Sequence, residues 1–302
     1  MNATAILPST PTAPAINALA PSDHERVKQE ILSLYGVVPA EQFDPAAATR
    51  ARIDYLKAQL RSTKRRGFVL GISGGVDSTT AGRLAQLACA ELRNEGYDAT
   101  FYAVRLPAGV QRDEADAQEA LRFIGPDQIL TVNIGEAANV LNDLCVGAVA
   151  NNGLALSASD ADYHKGNIKA RLRMTAQYHL AAVYGGLVLG TDHVCEWVTA
   201  FFSRHGDQAC DLTVLNGLSK RHVRLCAKYL GAPEFLWNKA PTADLEELNP
   251  GKLDDEGFGF PYSALDDFLE GKAIDQLHEA KIIARYDATR YRRAPIVEFS
   301  GS

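Results

Sequence analysis

Four short apolar strings alternate with longer amphipathic segments along the middle of the chain, and this alternation limits the possible folds. The strings are FVLGI at 68–72, ATFYAVRL at 99–106, ILTVNI at 129–134 and GLVLGT at 186–191. Helices are predicted beside them, near 78–93, 113–124, 136–149 and 167–184. Because each string reads as a fully buried strand and helices separate them, we expect parallel pairing through right-handed crossovers. The pattern predicts an α/β fold with a doubly wound parallel sheet flanked by helices.

The ends of the chain suggest a simple domain organisation. Residues 1–22 contain no charged side chain, so they lack the basic region of a signal peptide, and we expect a disordered tail. From residue 23 onward the sequence is globular, with helices predicted near 25–34 and 46–61. With 46% hydrophobic residues the chain can bury a sizeable core, and 23–302 is predicted to form a single domain.

Charge and cysteine content exclude several classes of partner. The 31 Lys and Arg residues against 37 Asp and Glu residues give a formal net charge of -6, which makes nucleic acid or an anionic membrane a poor partner. No apolar run approaches the ~20 residues of a membrane span. The five scattered cysteines form no C-x-x-C pair, which argues against structural zinc or a disulfide framework and favours a reducing cytoplasm.

The stretch SGGVDS, residues 73–78, lies between the first predicted strand and its helix. Two adjacent glycines allow a tight turn in which backbone N–H groups and the positive end of the helix dipole converge on an anion. The stretch lacks both the Walker ending and the G-x-G-x-x-G pattern. It therefore predicts a phosphate site of another kind. In the alternative interpretation, Asp77 or Ser78 only caps the helix and the glycines form a connection.

SGGVDS resembles the pyrophosphate-binding loop of the ATP pyrophosphatases, a Rossmann-like superfamily that includes GMP, asparagine and NAD synthetases. Further segments are similar to the bacterial ammonia-dependent NAD synthetases, in the family's order. They are AVRLPAGVQRDEADAQ (103–118), GNIKARLRM (166–174), GTDHVCEWVTAFFSRHGDQACD (190–211), LSKRHVRLCAKYLGAP (218–233), KAPTADLE (239–246) and YSALDDFLEG (262–271). The resemblance covers roughly residues 25–299.

The resemblance implies a reaction. In this family the nicotinate carboxylate of deamido-NAD attacks the α-phosphate of ATP, pyrophosphate leaves, and ammonia displaces AMP from the acyl-adenylate to give NAD. It also implies Mg²⁺ and a cytoplasmic homodimer with deamido-NAD bound across the subunit boundary. Glutamine-using relatives carry a large N-terminal amidase domain, whereas only 66 residues precede Gly67 here. We therefore expect ammonia to come from solution or from a separate protein.

The resemblance also assigns site residues. It implies metal ligands at Asp77 and Glu196, and catalytic roles for Asp77, Lys220 and Asp207. The implied ATP-binding residues are Gly71, Ile72, Ser73, Gly74, Gly75, Val76, Asp77, Ser78, Arg105, Gln111, Thr191, Lys220 and Thr242. The implied deamido-NAD-binding residues are Arg171, Arg204, Asp211, Arg290 and Tyr291, where Arg204 replaces the family's usual lysine and the last two replace a His-Lys pair.

Other interpretations of these residues stay open at the level of sequence. Lys220 follows Ser219 and can be a solvated residue at the start of a helix, while Asp207 can form an Asx turn. Arg171 can belong to a solvated basic helix face. For the whole chain, the alternatives are another ATP pyrophosphatase such as a GMP synthetase, and a non-catalytic nucleotide sensor. The joint presence of Asp77, Glu196, Lys220 and Thr242 argues against the sensor.

Overall fold

The computed structural model describes residues 21–109, 114–242, 246–249, 251–296 and 298–299. Most of the predicted tail, residues 1–20, and the predicted ATP-binding residue Gln111 lie outside the described residues. Pro21 already belongs to the first helix, which therefore begins two residues before the predicted boundary of the tail.

Helices and strands alternate as far as residue 213, apart from two places where one helix follows another directly, and helices follow in the rest of the described chain. In chain order they are α1 (Pro21–Tyr35), α2 (Pro45–Thr63), β1 (Gly67–Gly71), α3 (Val76–Asn94), β2 (Thr100–Arg105), α4 (Glu114–Ile124), β3 (Gln128–Thr131), α5 (Gly135–Asn151), α6 (Ala158–Tyr184), β4 (Leu187–Gly190), α7 (Val194–Thr199), β5 (Leu212–Thr213), α8 (Lys220–Tyr229), α9 (Glu234–Trp237), α10 (Asp254–Phe258), α11 (Tyr262–Leu269), α12 (Gln276–Ala288) and α13 (Arg290–Arg293).

The strands of the described chain form one parallel sheet in the order β3-β2-β1-β4-β5. Phe68 of β1 lies between Phe101 of β2 and Leu187 of β4. From β1 the chain adds β2 and then β3 on one side of the sheet, and it later adds β4 and β5 on the other side of β1. A crevice opens where the order reverses, beyond the carboxyl ends of these strands. The predicted α/β fold is confirmed.

Three details differ from the sequence prediction. The string at 129–134 is not a fully buried strand, because β3 is the edge of the sheet and Ile129 is 53% exposed. The two-residue strand β5 is too short to produce a sequence pattern. Helix α6 begins at Ala158, nine residues before the predicted start, where Ser157 caps it by accepting the N–H of Asp160 at 3.1 Å.

Helices cover both faces of the sheet, and this arrangement holds β1 at the centre of the molecule. On one face α2, α3 and α8 bury side chains such as Leu60, Leu84 and Val223 against the sheet. On the other face Val69 packs in a cluster with Ala181 of α6. A further cluster joins α1, α7, α11 and α12 beside the crevice. Among the described residues, no helix is both long and apolar enough to cross a membrane.

Candidate active site

The loop Ser73–Gly75 joins the carboxyl end of β1 to the first turn of α3. Gly75 is the N-cap residue and has no side chain, so the helix lacks a side-chain cap and its first N–H groups remain available to a ligand. Ser73 Oγ lies 3.1 Å from Ser78 Oγ and accepts the N–H of Gly75 at 3.2 Å. These contacts shape the loop around the positive end of the helix dipole. The open helix start is the geometry that an anion site requires, and the role of the loop as a phosphate site stays a prediction.

Gly74 is needed for this loop on two counts. Its φ of +90° lies in the region that only glycine adopts without strain. A Cβ atom built on Gly74 would also lie 2.8 Å from the backbone nitrogen of Ala117 in α4. The loop therefore packs backbone against backbone, and the start of α4 forms its outer support.

Asp77 and Lys220 form a buried ion pair beside the loop. The Lys220 Nζ donates to Asp77 Oδ2 at 2.6 Å, and only 2% of the lysine side chain is exposed. Burial is the largest influence on Asp77 and would raise its pKa, but the charge of Lys220, the hydrogen bond from Lys220 and other nearby groups together hold the pKa below its usual value. Burial alone would lower the pKa of Lys220, but Asp77 raises it instead. Lys220 is therefore not the solvated residue of the alternative interpretation.

Glu196 and His193 stand next to the same carboxylate. His193 Nε2 lies 3.6 Å from Asp77 Oδ1 and 3.7 Å from Glu196 Oε2, and its backbone N–H donates to Glu196 at 3.2 Å. Burial, followed by the charge of Lys220, lowers the pKa of His193 to about 3, so the ring is neutral and forms no ion pair. Burial and the charge of Asp77 raise the pKa of Glu196 well above its usual value.

Two more carboxyl groups extend this acidic cluster. Burial, with the charges of Asp207 and Asp77, raises the pKa of Asp192 to about 8. Burial also raises the pKa of Asp254 to about 6, although the charge of Lys220 opposes the rise. Lys220 therefore lies among several acids, of which it contacts Asp77 most closely. Such a cluster is unfavourable for folding and typical of a site that binds cations or phosphates.

Cys195 lies directly behind Lys220. Its Sγ accepts the backbone N–H of Lys220 at 3.4 Å and donates to Asp266 Oδ1 at 3.5 Å. Burial raises the pKa of this thiol well above its usual value, so it stays protonated. The thiol helps to fix the first turn of α8, which Ser219 caps by accepting the N–H of His222 at 3.3 Å.

A cavity of about 780 Å³ opens in front of these groups, at the reversal point of the sheet. This size is typical of a small-molecule site. The walls include most of the predicted ATP-binding, catalytic and metal-binding residues, namely Gly71, Ile72, Ser73, Gly75, Val76, Asp77, Ser78, Arg105, Thr191, Glu196, Asp207, Lys220 and Thr242. The fold therefore brings together residues that are far apart in the sequence, from Gly71 to Thr242.

The predicted deamido-NAD-binding residues lie outside this cavity. Arg171 is exposed on α6, and Arg204 lines a smaller depression of about 310 Å³ beside the chain end. Asp211 accepts the N–H of Val188 at 2.8 Å and so helps to join β5 to β4. Arg290 pairs with carboxylates of α1 and α12, and Tyr291 is 64% exposed. Their role toward substrate stays a prediction.

Asp207 reaches the cavity, where solvent still has access to it. Its Oδ1 accepts the backbone N–H of Ser203 at 2.8 Å, and the enclosing protein raises the pKa of its carboxyl. Ser203 in turn donates to Asn167 of α6 at 3.0 Å. The carboxylate is thus fixed on a turn that α6 supports.

Sequence reasoning missed several residues of the cavity. His193 carried a signal, because it precedes Glu196 by three residues and helical spacing places such residues side by side. Gln177 carried none, although its Oε1 accepts the N–H of Gly71 at 2.7 Å at the end of β1. Arg292 also lines the cavity and donates to the carbonyl of Phe202.

Three features define the ATP pyrophosphatase class of nucleotide-binding enzymes. They are the parallel sheet whose strand order reverses at β1, the SGGVDS loop that follows β1, and the acidic crevice beyond that loop. Residues 48–296 match the family model described as NAD synthase. The chain belongs to this family.

Relatives agree with the family assignment. The NH(3)-dependent NAD(+) synthetase of Nocardia farcinica is 49% identical over 267 residues, which are 88% of this chain and 94% of that protein. A crystal structure of NAD+ synthetase from Burkholderia pseudomallei is 44% identical, with a TM-score of 0.76 over 91% of this chain and 98% of that one. A structure of NMN synthetase from Francisella tularensis is 28% identical, with a TM-score of 0.72 over 86% and 100%.

The ion pair predicts unequal effects of two similar substitutions on stability. Asp77→Asn leaves the buried Lys220 charge without its partner and is expected to lower the free energy of unfolding by about 3–5 kcal/mol. Glu196→Gln removes one acid from a crowded cluster and is expected to cost less than about 1 kcal/mol or to stabilise the fold. Urea unfolding in the presence of EDTA measures both. Equal losses would contradict the assigned pairing.

Proposed function

We propose that this chain joins ammonia to deamido-NAD at the expense of ATP, giving NAD, AMP and pyrophosphate. The observation that carries the proposal is the placement of Asp77, Lys220 and Glu196 around an open helix N-terminus at the reversal point of the sheet. A phosphate-binding loop and a buried cation would stabilise charge on a leaving pyrophosphate, and two carboxylates could hold a divalent cation beside it.

The ATP phosphates are proposed to bind against the Ser73–Ser78 loop. The nicotinate carboxylate then attacks the α-phosphorus, and the bond to the bridging oxygen breaks so that pyrophosphate leaves with the electron pair. Lys220 is held by Asp77 at 2.6 Å, which orients its ammonium group toward the developing charge on the leaving group. Arg105 and Thr191 supply further walls of the ATP site.

The residues also fit a magnesium ion. Asp77 Oδ1 is buried without a hydrogen-bond partner, and ligand atoms of Asp77, His193 and Glu196 lie within 4.8 Å of one another. Mg²⁺ prefers oxygen ligands, so we propose that the two carboxylates hold it and that the neutral His193 packs beside them. When bound, the ion would neutralise phosphate charge.

Asp207, which lines the same cavity, is proposed to receive ammonium. Ammonium must lose a proton before it can attack the acyl carbon of the adenylate, and a carboxylate both binds the cation and accepts a proton. Displacement at that carbon expels AMP and leaves the amide. The hydrogen bond from Ser203 fixes Asp207 for this task.

The similarity to an NMN synthetase raises one alternative substrate, the nicotinate mononucleotide. Both substrates carry the same carboxylate, so the site chemistry does not separate them. The 49% identity to an ammonia-dependent NAD synthetase, against 28% to the NMN synthetase, favours the dinucleotide.

The proposed route can be tested with oxygen-18 in the nicotinate carboxylate. Because that carboxylate attacks phosphorus, the label should appear in the phosphate of AMP after amidation, as read by mass spectrometry. Ammonium salts should support the reaction and ammonia-free glutamine should not. We also expect kcat/KM for deamido-NAD to exceed that for the mononucleotide at least about tenfold.

Three results would each contradict a part of this proposal. ADP as the nucleotide product would exclude cleavage between the α- and β-phosphates. Unlabelled AMP would exclude attack by the carboxylate. A higher kcat/KM for the mononucleotide would assign the chain to the alternative substrate.

The metal assignment predicts a changed requirement for magnesium. Glu196→Gln removes a charged ligand, so the Mg²⁺ concentration that gives half-maximal activity should rise about tenfold or more. Glu25→Gln, at an exposed position on α1, serves as the matched control and should not change it. Equal magnesium dependence of the two variants would exclude Glu196 as a ligand.

We further propose that residues 23–302 form one domain and that two copies form a homodimer through α5. This 17-residue helix is rich in apolar residues, yet among the residues assigned to it only Ala138 is buried. Val140, Leu141 and Leu144 are 55%, 41% and 67% exposed, and α5 packs on α6, where Val183 is 63% exposed. An exposed apolar face of this kind is typical of a surface that a second copy covers.

A charge in this face should therefore separate the subunits. Leu144→Asp is expected to convert the dimer to monomer in light scattering, because it would bury an unpaired carboxylate in the interface. Leu277→Asp, at a position 61% exposed on α12, is the matched control and should leave the dimer intact. A wild-type monomer, or a dimer that Leu144→Asp leaves intact, would exclude this surface.

A further inference from the structure

A buried carboxylate on α6 holds one wall of the cavity by its backbone. Asp162 is 9% exposed, and its Oδ1 accepts the N–H of Glu247 at 2.9 Å while its Oδ2 accepts the N–H of Leu248 at 2.7 Å. Both carboxylate oxygens are thus used by adjacent amides of segment 246–249. Charge-assisted hydrogen bonds of this kind are stronger than neutral ones.

Two other interactions bear on segment 246–249. The Leu248 side chain is 63% exposed, so burial of apolar surface contributes little there. The Glu247 side chain pairs with Lys165 and Lys169 of α6 at 2.9 and 3.0 Å; the lysine side chains are 17% and 7% exposed and that of Glu247 is 54% exposed, so water screens these pairs in part. Asp162 therefore holds the backbone of this segment against α6, whereas the two lysines hold the side chain of Glu247.

The attachment joins two sides of the cavity. Thr242 and Leu253 form an antiparallel bridge, and Asp254 N–H donates to the carbonyl of Pro241 at 3.2 Å. Residues 241–242 and 253–254 therefore lie side by side at the base of this part of the wall. Glu246 and Lys252 line the cavity on this side, and Tyr163 of α6 lines it on the other. Asp162 sits one residue before Tyr163 and ties the two sides together.

We propose that Asp162 is a positioning residue that sets the ATP-side wall of the cavity against α6 and thereby supports the binding of ATP. The proposal rests on the proposed function, because it takes Thr242 as part of the ATP site. Without this attachment, part of the binding free energy of ATP would be spent on holding segment 246–249 in place.

The test compares Asp162→Asn with Glu247→Gln in the full chain. Asp162→Asn keeps the shape of the side chain but leaves only one acceptor oxygen and no charge, whereas Glu247→Gln removes only the screened ion pairs. Hydrogen exchange of the Glu247 and Leu248 amides, resolved by fragmentation mass spectrometry, should accelerate about tenfold or more in Asp162→Asn and change little in Glu247→Gln. Exchange in the buried helix α3 should be unchanged in both variants.

Kinetics give a second readout that a merely structural role would not produce. If the attached state falls to about one tenth of the population, the KM for ATP rises about tenfold while kcat stays within about twofold. The dissociation constant of Mg·ATP should rise by a similar factor in Asp162→Asn. An unchanged KM for ATP overturns the positioning role.

The wild-type chain provides a test that needs no variant. Its Glu247 and Leu248 amides should exchange more slowly than the neighbouring Asn249 amide without any ligand. Rapid exchange at both amides overturns the attachment, even if Asp162→Asn does not fold. Because exchange is measured without turnover, an absence of NAD formation would contradict the proposed function and leave this readout intact.

Discussion

The structure depends on one buried ion pair, which joins two helix starts that are far apart in the sequence. Asp77 belongs to the first turn of α3 and Lys220 is the first residue of α8, and their 2.6 Å contact fixes both helix starts beside β1. A lysine at a helix N-terminus is opposed by the helix dipole, and burial opposes it further. Asp77 offsets both effects, so the fold retains a buried cation where phosphate charge is expected.

The surrounding acids show why this region serves binding rather than stability. Glu196, Asp192 and Asp254 all have raised pKa values, because burial and the neighbouring carboxylates disfavour their charged forms. The apolar clusters on either side of the sheet must offset this cost. A cation bound among these acids would lower the electrostatic free energy of the cluster, and so would a phosphate group placed against Lys220. The site is therefore incomplete, in electrostatic terms, until its substrates are bound.

The sequence predicted the parallel sheet and the position of the SGGVDS loop between β1 and α3 well, because both rest on local patterns. Strand burial failed at Ile129, since an edge position depends on strand order and not on local hydrophobicity. The loop residues and Lys220 meet in one cavity as the resemblance implied, whereas Gln177 became visible only through its contact with Gly71. Arg204 and Arg290 lie outside the main cavity, because both were assigned by resemblance and no local pattern fixes where the end of the chain packs.

The thiol behind Lys220 has a chemical consequence for the whole site. Cys195 is completely buried, and the raised pKa of its thiol keeps that thiol protonated. Its sulfur accepts a hydrogen bond from the backbone N–H of Lys220. An electrophile or oxidant therefore reaches this sulfur only when the protein around it opens, whereas Cys145 is exposed on the surface. The chain thus carries an internal reporter beside its buried ion pair, because reaction at Cys195 requires an opening of the packing that supports Lys220.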